Sequence, residues 1–123
     1  MVRRHTRAVG SRAEISARQH LEGRGLVTIE TNFHRRFGEI DLIMRDGNCL
    51  VFVEVRYRSS RRVVAPGTTV DIHKQRKLIR TAALYVARHP EYALNIMRFD
   101  VVAIDDDGID WIADAFRPSD SAL

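Results

Sequence analysis

The segment CLVFVEVRY, residues 49–57, constrains the fold more than any other stretch. Its alternate residues make two sets: Cys49, Val51, Val53 and Val55 on one side, and Leu50, Phe52, Glu54 and Arg56 on the other. Apart from Glu54 and Arg56, both sets are apolar, which predicts a strand central in its sheet and covered on both faces. A bare carboxylate in such a place is costly, because an unpaired buried charge must find a partner or take up a proton. EIDLIM, residues 39–44, repeats the anomaly with Asp41 inside an apolar run.

Asp46-Gly47-Asn48 joins the two segments and is a tight-turn signal. A two-residue loop at Asp46-Gly47 pairs Asp41 with Phe52 and leaves Glu54 diagonal to it. A loop at Gly47-Asn48 pairs Asp41 directly with Glu54. Cross-strand neighbours lie about 5 Å apart and diagonals about 7–8 Å, and both registers put the two carboxylates on one face. Carboxylates that close repel unless a cation or a proton sits between them. Oxygen ligands at this spacing suit a hard divalent ion such as magnesium. A buried ion-pair network, with Arg56 neutralising one carboxylate, accounts for the same spacing equally well.

The remaining pattern supplies the frame. Ser11 and Glu14 have the spacing of a capping box, which predicts a helix over 12–23 ended by Gly23 and Gly25. Strands are expected at 26–33, 37–46, 49–57, 96–104 and 109–116. A second helix, 72–88, is capped by Asp71 and carries an apolar face of Leu78, Ile79, Ala82, Ala83 and Val86. The order α-β-β-β-α-β-β predicts an α/β sandwich whose mixed central sheet is flanked by helices, with the second helix as a crossover. At 123 residues the chain has room for one core: a single domain over 10–116, a mobile basic arm at 1–9 and a tail at 117–123. Trp111 and Phe116 are expected in the core, and Asp100 beside Arg98 is expected to be structural.

Charge is unevenly spread. Residues 56–80 carry Arg56, Arg58, Arg61, Arg62, Lys74, Arg76, Lys77 and Arg80 against Asp71 alone, whereas 100–123 hold seven aspartates and one arginine. Such segregation suggests a basic surface for a polyanion. The single Cys49 permits no internal disulfide and no thiolate zinc site. The basic N-terminus lacks the apolar stretch of a secretory signal, and no apolar run is long enough to span a bilayer. A cytoplasmic protein with no membrane partner is the expectation.

GEIDLI, FVEVRYR, RFDVVAI and the closing AF resemble the YraN-like family of small uncharacterised bacterial proteins, over about Gly10 to Phe116. That family is placed by similarity in the restriction-endonuclease-like PD-(D/E)XK superfamily, beside archaeal Holliday-junction resolvases. The resemblance implies an aspartate on one hairpin strand and (D/E)-x-K on the next, here Asp41 and Glu54-Val55-Arg56. It implies Asp41, Glu54 and Arg56 as catalytic residues, with Asp41, Glu54 and the Val55 backbone carbonyl facing Mg2+ or Mn2+. A glutamate on the first helix commonly joins such a site and would be Glu14, whose other reading is the helix cap. Glu39 would be an outer ligand or a substrate contact. Arg56 stands where the pattern has lysine; it stays charged and cannot act as a base, though it can still stabilise a phosphoryl group.

The leading expectation is therefore a metal-dependent endonuclease acting on structured or branched DNA without reading sequence. Arg35, Arg36, Arg58, Arg61, Arg62, Lys74 and Lys77 would hold the phosphate backbone. A homodimer is expected by analogy with the resolvases. The alternatives are a non-catalytic nucleic-acid-binding domain of the same fold and an accessory protein that docks an acidic partner.

Overall fold

The computed structural model describes residues 2–57 and 70–118, the side chains of 2–11 apart. Its elements follow in the order α1 (Val2–Gly23), β1 (Val27–Arg35), β2 (Gly38–Asp46), β3 (Cys49–Tyr57), α2 (Ile72–Arg88), a short 3-10 turn at Pro90–Tyr92, β4 (Ile96–Asp105) and β5 (Gly108–Phe116). The strands form one sheet in the order β1-β2-β3-β4-β5. β3 and β4 are parallel, joined through α2, and every other neighbouring pair is antiparallel. This is the expected α/β arrangement, and it is consistent with a restriction-endonuclease-like fold.

The doubly apolar strand behaves as its pattern requires. Leu50 and Phe52 join Phe33, Ile43, Leu78, Ile79, Ala82 and Tyr85 beneath α2. Val51 and Val53 join Ala17, Leu21, Leu42 and Met44 beneath α1, with Cys49 and Val55 packed alongside. β3 is thus central in a sheet covered on both sides. On α2 the buried stripe is Leu78, Ile79, Thr81, Ala82 and Tyr85. Tyr85 replaces the expected Ala83, which is exposed, because its ring fills the space edge-on to Phe33, with centroids 5.0 Å apart.

Two expectations about element boundaries are corrected. α1 begins at Val2, so Ser11 lies inside the helix rather than at its cap. A capping-box spacing also arises by chance within a helix, and nothing local distinguishes the two. Phe37, expected as the first residue of a strand, sits instead with Arg36 in the two-residue loop between Arg35 and Gly38. Among the described residues no helix is long and apolar enough to cross a membrane.

Asp100 anchors the far side of the sheet. It is fully buried and receives Arg98 Nε at 2.9 Å, Trp111 Nε1 at 2.9 Å and the Asp114 N–H at 2.9 Å. The last of these spans a register shift in the β4–β5 pairing, where Asp114 adopts φ 54°. With donors around both oxygens, this carboxylate is a structural one, as expected. Removing one partner of such a buried pair strands the rest, at a cost of about 3–5 kcal/mol. Asp100→Ala should therefore lower unfolding free energy by roughly that amount in urea titration; a loss below about 1 kcal/mol would mean that the network contributes little.

Candidate active site

The register decides the hairpin. Asp46 pairs with Cys49 and Leu42 with Val53, so the loop is Gly47-Asn48, with Gly47 at φ 60°. A positive φ at the first loop position is the glycine conformation that tight hairpins favour. Continued by one step, this register sets Asp41 opposite Glu54. The Cα pairing of β2 with β3 stops at Leu42, however, and the Asp41 side chain takes over: its Oδ2 accepts the Val55 N–H at 2.8 Å. β3 runs on beside β4 as far as Tyr57, while β2 stays with β1 down to Gly38. The strands part where the two carboxylates stand.

The residues around this opening come from five elements. Glu54 is buried on the α2 side of β3, and Lys74 from the first turn of α2 reaches it, Nζ to Oε2, at 3.3 Å. Lys74 is placed there by its helix cap, in which Asp71 Oδ1 accepts the Lys74 N–H at 2.9 Å. On the α1 side, Glu14 accepts a hydrogen bond from the Asn32 side chain. Asn32 sits in β1 at φ 53°, a left-handed conformation that asparagine tolerates. Glu14, Asn32 and Leu42 are among the residues that line a cavity of about 190 Å³ there.

Electrostatics ties the acids together. Burial, then the negative charge of Glu54, pushes the Asp41 carboxyl up to about 8, against the pull of the Val55 N–H. Glu14 and Glu39 add to that rise. Burial also raises Glu14, and Glu39 and Glu54 contribute. Asp41 and Glu54 therefore share charge that one proton or one cation relieves.

Among the described residues no three His, Cys, Asp or Glu side chains are close enough together to hold a metal ion. The facing pair still fits one by its chemistry: two hard oxygen donors at an opening in the sheet, one of them kept from ionising by burial and by the other. Such an ion would draw its remaining ligands from the backbone, water and substrate.

The other expected site residues separate into groups. Arg56 is exposed and bears on Asp71, whose carboxyl it helps to lower after the Lys74 N–H and His73. Arg35 lies over the Phe33 ring, its guanidinium carbon 4.3 Å from the centroid. Arg36 and Lys77 line a cleft between the β1–β2 loop and α2. Glu39 is exposed beside the acids. Arg58, Arg61 and Arg62 lie outside the described residues. Sequence reasoning took Lys74 for a phosphate contact and missed its place at Glu54. It also passed over Asn32 and Phe37; an aromatic residue directly after two arginines and before a glycine was the available signal for the latter.

A family model described as "Uncharacterised protein family UPF0102" matches residues 13–104. A UPF0102 protein of Halorhodospira halophila is 49% identical over 115 residues, covering 94% of this chain and 92% of its own. UPF0102 protein YraN of Escherichia coli O17:K52:H18 is 47% identical over 113 residues, covering 91% and 86%. A UPF0102 protein of Enterobacter sp. (strain 638) is 47% identical over 108 residues, covering 87% and 82%.

The acid pair has a pH signature. A carboxyl kept protonated in the folded chain and ionised in the unfolded one stabilises the fold fully below its ordinary value of 3.8, and the contribution is lost as pH rises through about 8. In metal-free buffer, wild-type stability should fall over that window by up to about 1.4 kcal/mol per pH unit more steeply than that of Asp41→Asn. Urea titrations across the range check this; equal slopes would mean that the pair ionises freely.

Proposed function

This chain belongs to the UPF0102 family, and on that premise we propose that it is a metal-dependent endonuclease acting on structured or branched DNA. The observation that carries the reading is the opening between β2 and β3, where Asp41 faces Glu54 and Lys74 Nζ lies 3.3 Å from Glu54. The choice of branched DNA rests on an analogy of fold with the resolvases alone.

Asp41 and Glu54 would hold Mg2+ or Mn2+, with the Val55 carbonyl as a further donor and Glu14 approaching from α1. When bound, such an ion supplies a nucleophile near neutral pH and positive charge for the phosphoryl oxygens. Asp41 is fixed for this role by the Val55 N–H, which sets the direction of its carboxylate. Lys74 supplies what the arginine in the motif cannot. Its ammonium is compact, carries three donors and can reorient, so with Glu54 engaged as a ligand it would turn toward the attacking water or a phosphate oxygen. Arg56, exposed at the rim, would hold the phosphate. Glu39 would contact substrate or water at the edge. Arg36 and Lys77 would track the backbone without reading bases, together with Arg35, Arg58, Arg61 and Arg62.

The Lys74–Glu54 ion pair also favours a second reading, because it neutralises Glu54 without any metal. On that reading the domain binds nucleic acid and does not cut it.

Incubation with four-way junction, flap and linear DNAs, in magnesium, manganese or chelator, separates the two. Cleavage should need the metal and be lost in Asp41→Asn and Glu54→Gln. Lys74→Ala should slow single-turnover cleavage by about 10²–10³-fold, the usual weight of one group aimed at developing charge. Arg56→Lys should leave the Lys74→Ala variant unrescued. Salt-sensitive binding with no cut product under any condition would establish the non-catalytic reading instead.

A further inference from the structure

The cleft between the β1–β2 loop and α2 takes no part in bond cleavage, though Arg36 and Lys77 line it. It encloses about 400 Å³ and is lined by Arg36, Phe37, His73, Arg76, Lys77 and Arg80. Four of the six carry fixed positive charge, His73 can add a fifth, and none is acidic. Phe37 is a large apolar side chain at the tip of a two-residue loop, yet it is 41% exposed. Arg80 lies over its ring, guanidinium carbon to centroid 5.3 Å, within cation–π range. The loop is held against the helix by close packing: a Cβ on Gly38 would meet Thr81 Oγ1 at 3.4 Å and Lys77 Cβ at 3.6 Å. The aromatic face is thus set among cations by the fold.

We propose that this cleft takes an unpaired nucleotide of a nucleic-acid strand, its base stacked on Phe37 and its phosphates held by Arg36, Lys77 and Arg80. Cations alone would suit any polyanion. An aromatic ring set among them suits a base that is free to leave its stack, and the paired interior of a duplex offers none. The volume of about 400 Å³ falls in the range of about 300–1,000 Å³ typical of small-ligand sites, enough for one nucleotide. Lys77 follows Lys74 by three residues, a rise of about 5 Å along α2, so the cleft adjoins the carboxylates. The inference rests on the nuclease reading only in placing the scissile bond: a strand seated here would present a phosphodiester close to Glu54, at the junction of paired and unpaired DNA. Binding in the cleft is a separate matter and needs no metal.

Binding is therefore measured in chelator, where nothing is cut. The probes are a blunt hairpin duplex and the same duplex carrying a short unpaired tail with one 2-aminopurine, the tail made in DNA and in RNA. The tailed probe should bind about tenfold tighter than the blunt one, within the range expected of one stacked base, and its 2-aminopurine emission should be quenched on binding. Phe37→Ala should abolish both the tail advantage and the quench, and Phe37→Tyr should keep them. Arg36→Ala with Lys77→Ala should flatten the salt dependence of tail binding. Whichever sugar binds tighter identifies the strand, and either supports the proposal. Equal affinity for blunt and tailed probes would overturn it, as would a tail advantage that survives Phe37→Ala. Displacement of the tail by polyglutamate at equal charge concentration would also overturn it, making the cleft a dock for an acidic protein. Cut product in magnesium, read separately, reports on the nuclease reading without bearing on this one.

Discussion

Everything at the candidate site depends on one substitution of side chain for main chain. Where β2 would go on pairing with β3, the carboxylate of Asp41 accepts the Val55 N–H. The bond satisfies a donor that the parted strands would leave open, and it allows β2 to stay with β1 while β3 continues beside β4. It also holds one carboxylate at the mouth of the opening, against the buried Glu54. Burial and the charge of Glu54 then push the Asp41 carboxyl up, and Lys74 comes in from α2 to balance Glu54. A charged residue in a doubly covered strand is expensive, and here the opening and the lysine offset that expense.

Asp100 shows what a structural aspartate looks like in the same sheet. It too bridges a place where strand pairing shifts, and it too accepts a backbone N–H. Its other neighbours are donors, Arg98 and Trp111, so its charge is settled within the fold. The surroundings of Asp41 include three further carboxyls, Glu54, Glu14 and Glu39. Two aspartates with similar backbone roles thus differ in whether their environment completes them or leaves a charge to be met. That difference, more than burial alone, marks Asp41 as the candidate functional residue of the two.

The central strand, the two covered faces, the crossover and the carboxylate pair were legible in the sequence because each follows from local alternation and turn signals. The choice between two hairpin registers was not, since Asp46-Gly47 and Gly47-Asn48 are both acceptable loops and both set Leu42, Met44, Val51 and Val53 on one face; the pairing of Asp46 with Cys49 is the second. The true start of α1 was hidden by a capping pattern at Ser11 and Glu14 that the helix runs straight through. The place of Lys74 depends on how α2 lies across the sheet, a tertiary relation with no sequence period. Phe37 precedes an apolar alternation and so has the pattern of a strand residue, and only the pairing of Arg35 with Gly38 moves it into the loop.

The claim on which the account turns is that Asp41 and Glu54 together hold a divalent cation. Titration of chelator-treated protein with Mn2+, with free ion followed by electron paramagnetic resonance, measures this without DNA or catalysis. The account predicts saturable binding that tightens as pH rises through about 8, as proton and metal compete for the pair. Asp41→Asn and Glu54→Gln should each weaken it at least about tenfold, equivalent to about 1.4 kcal/mol. Absence of binding by the wild-type chain, or binding that neither substitution changes, would contradict it.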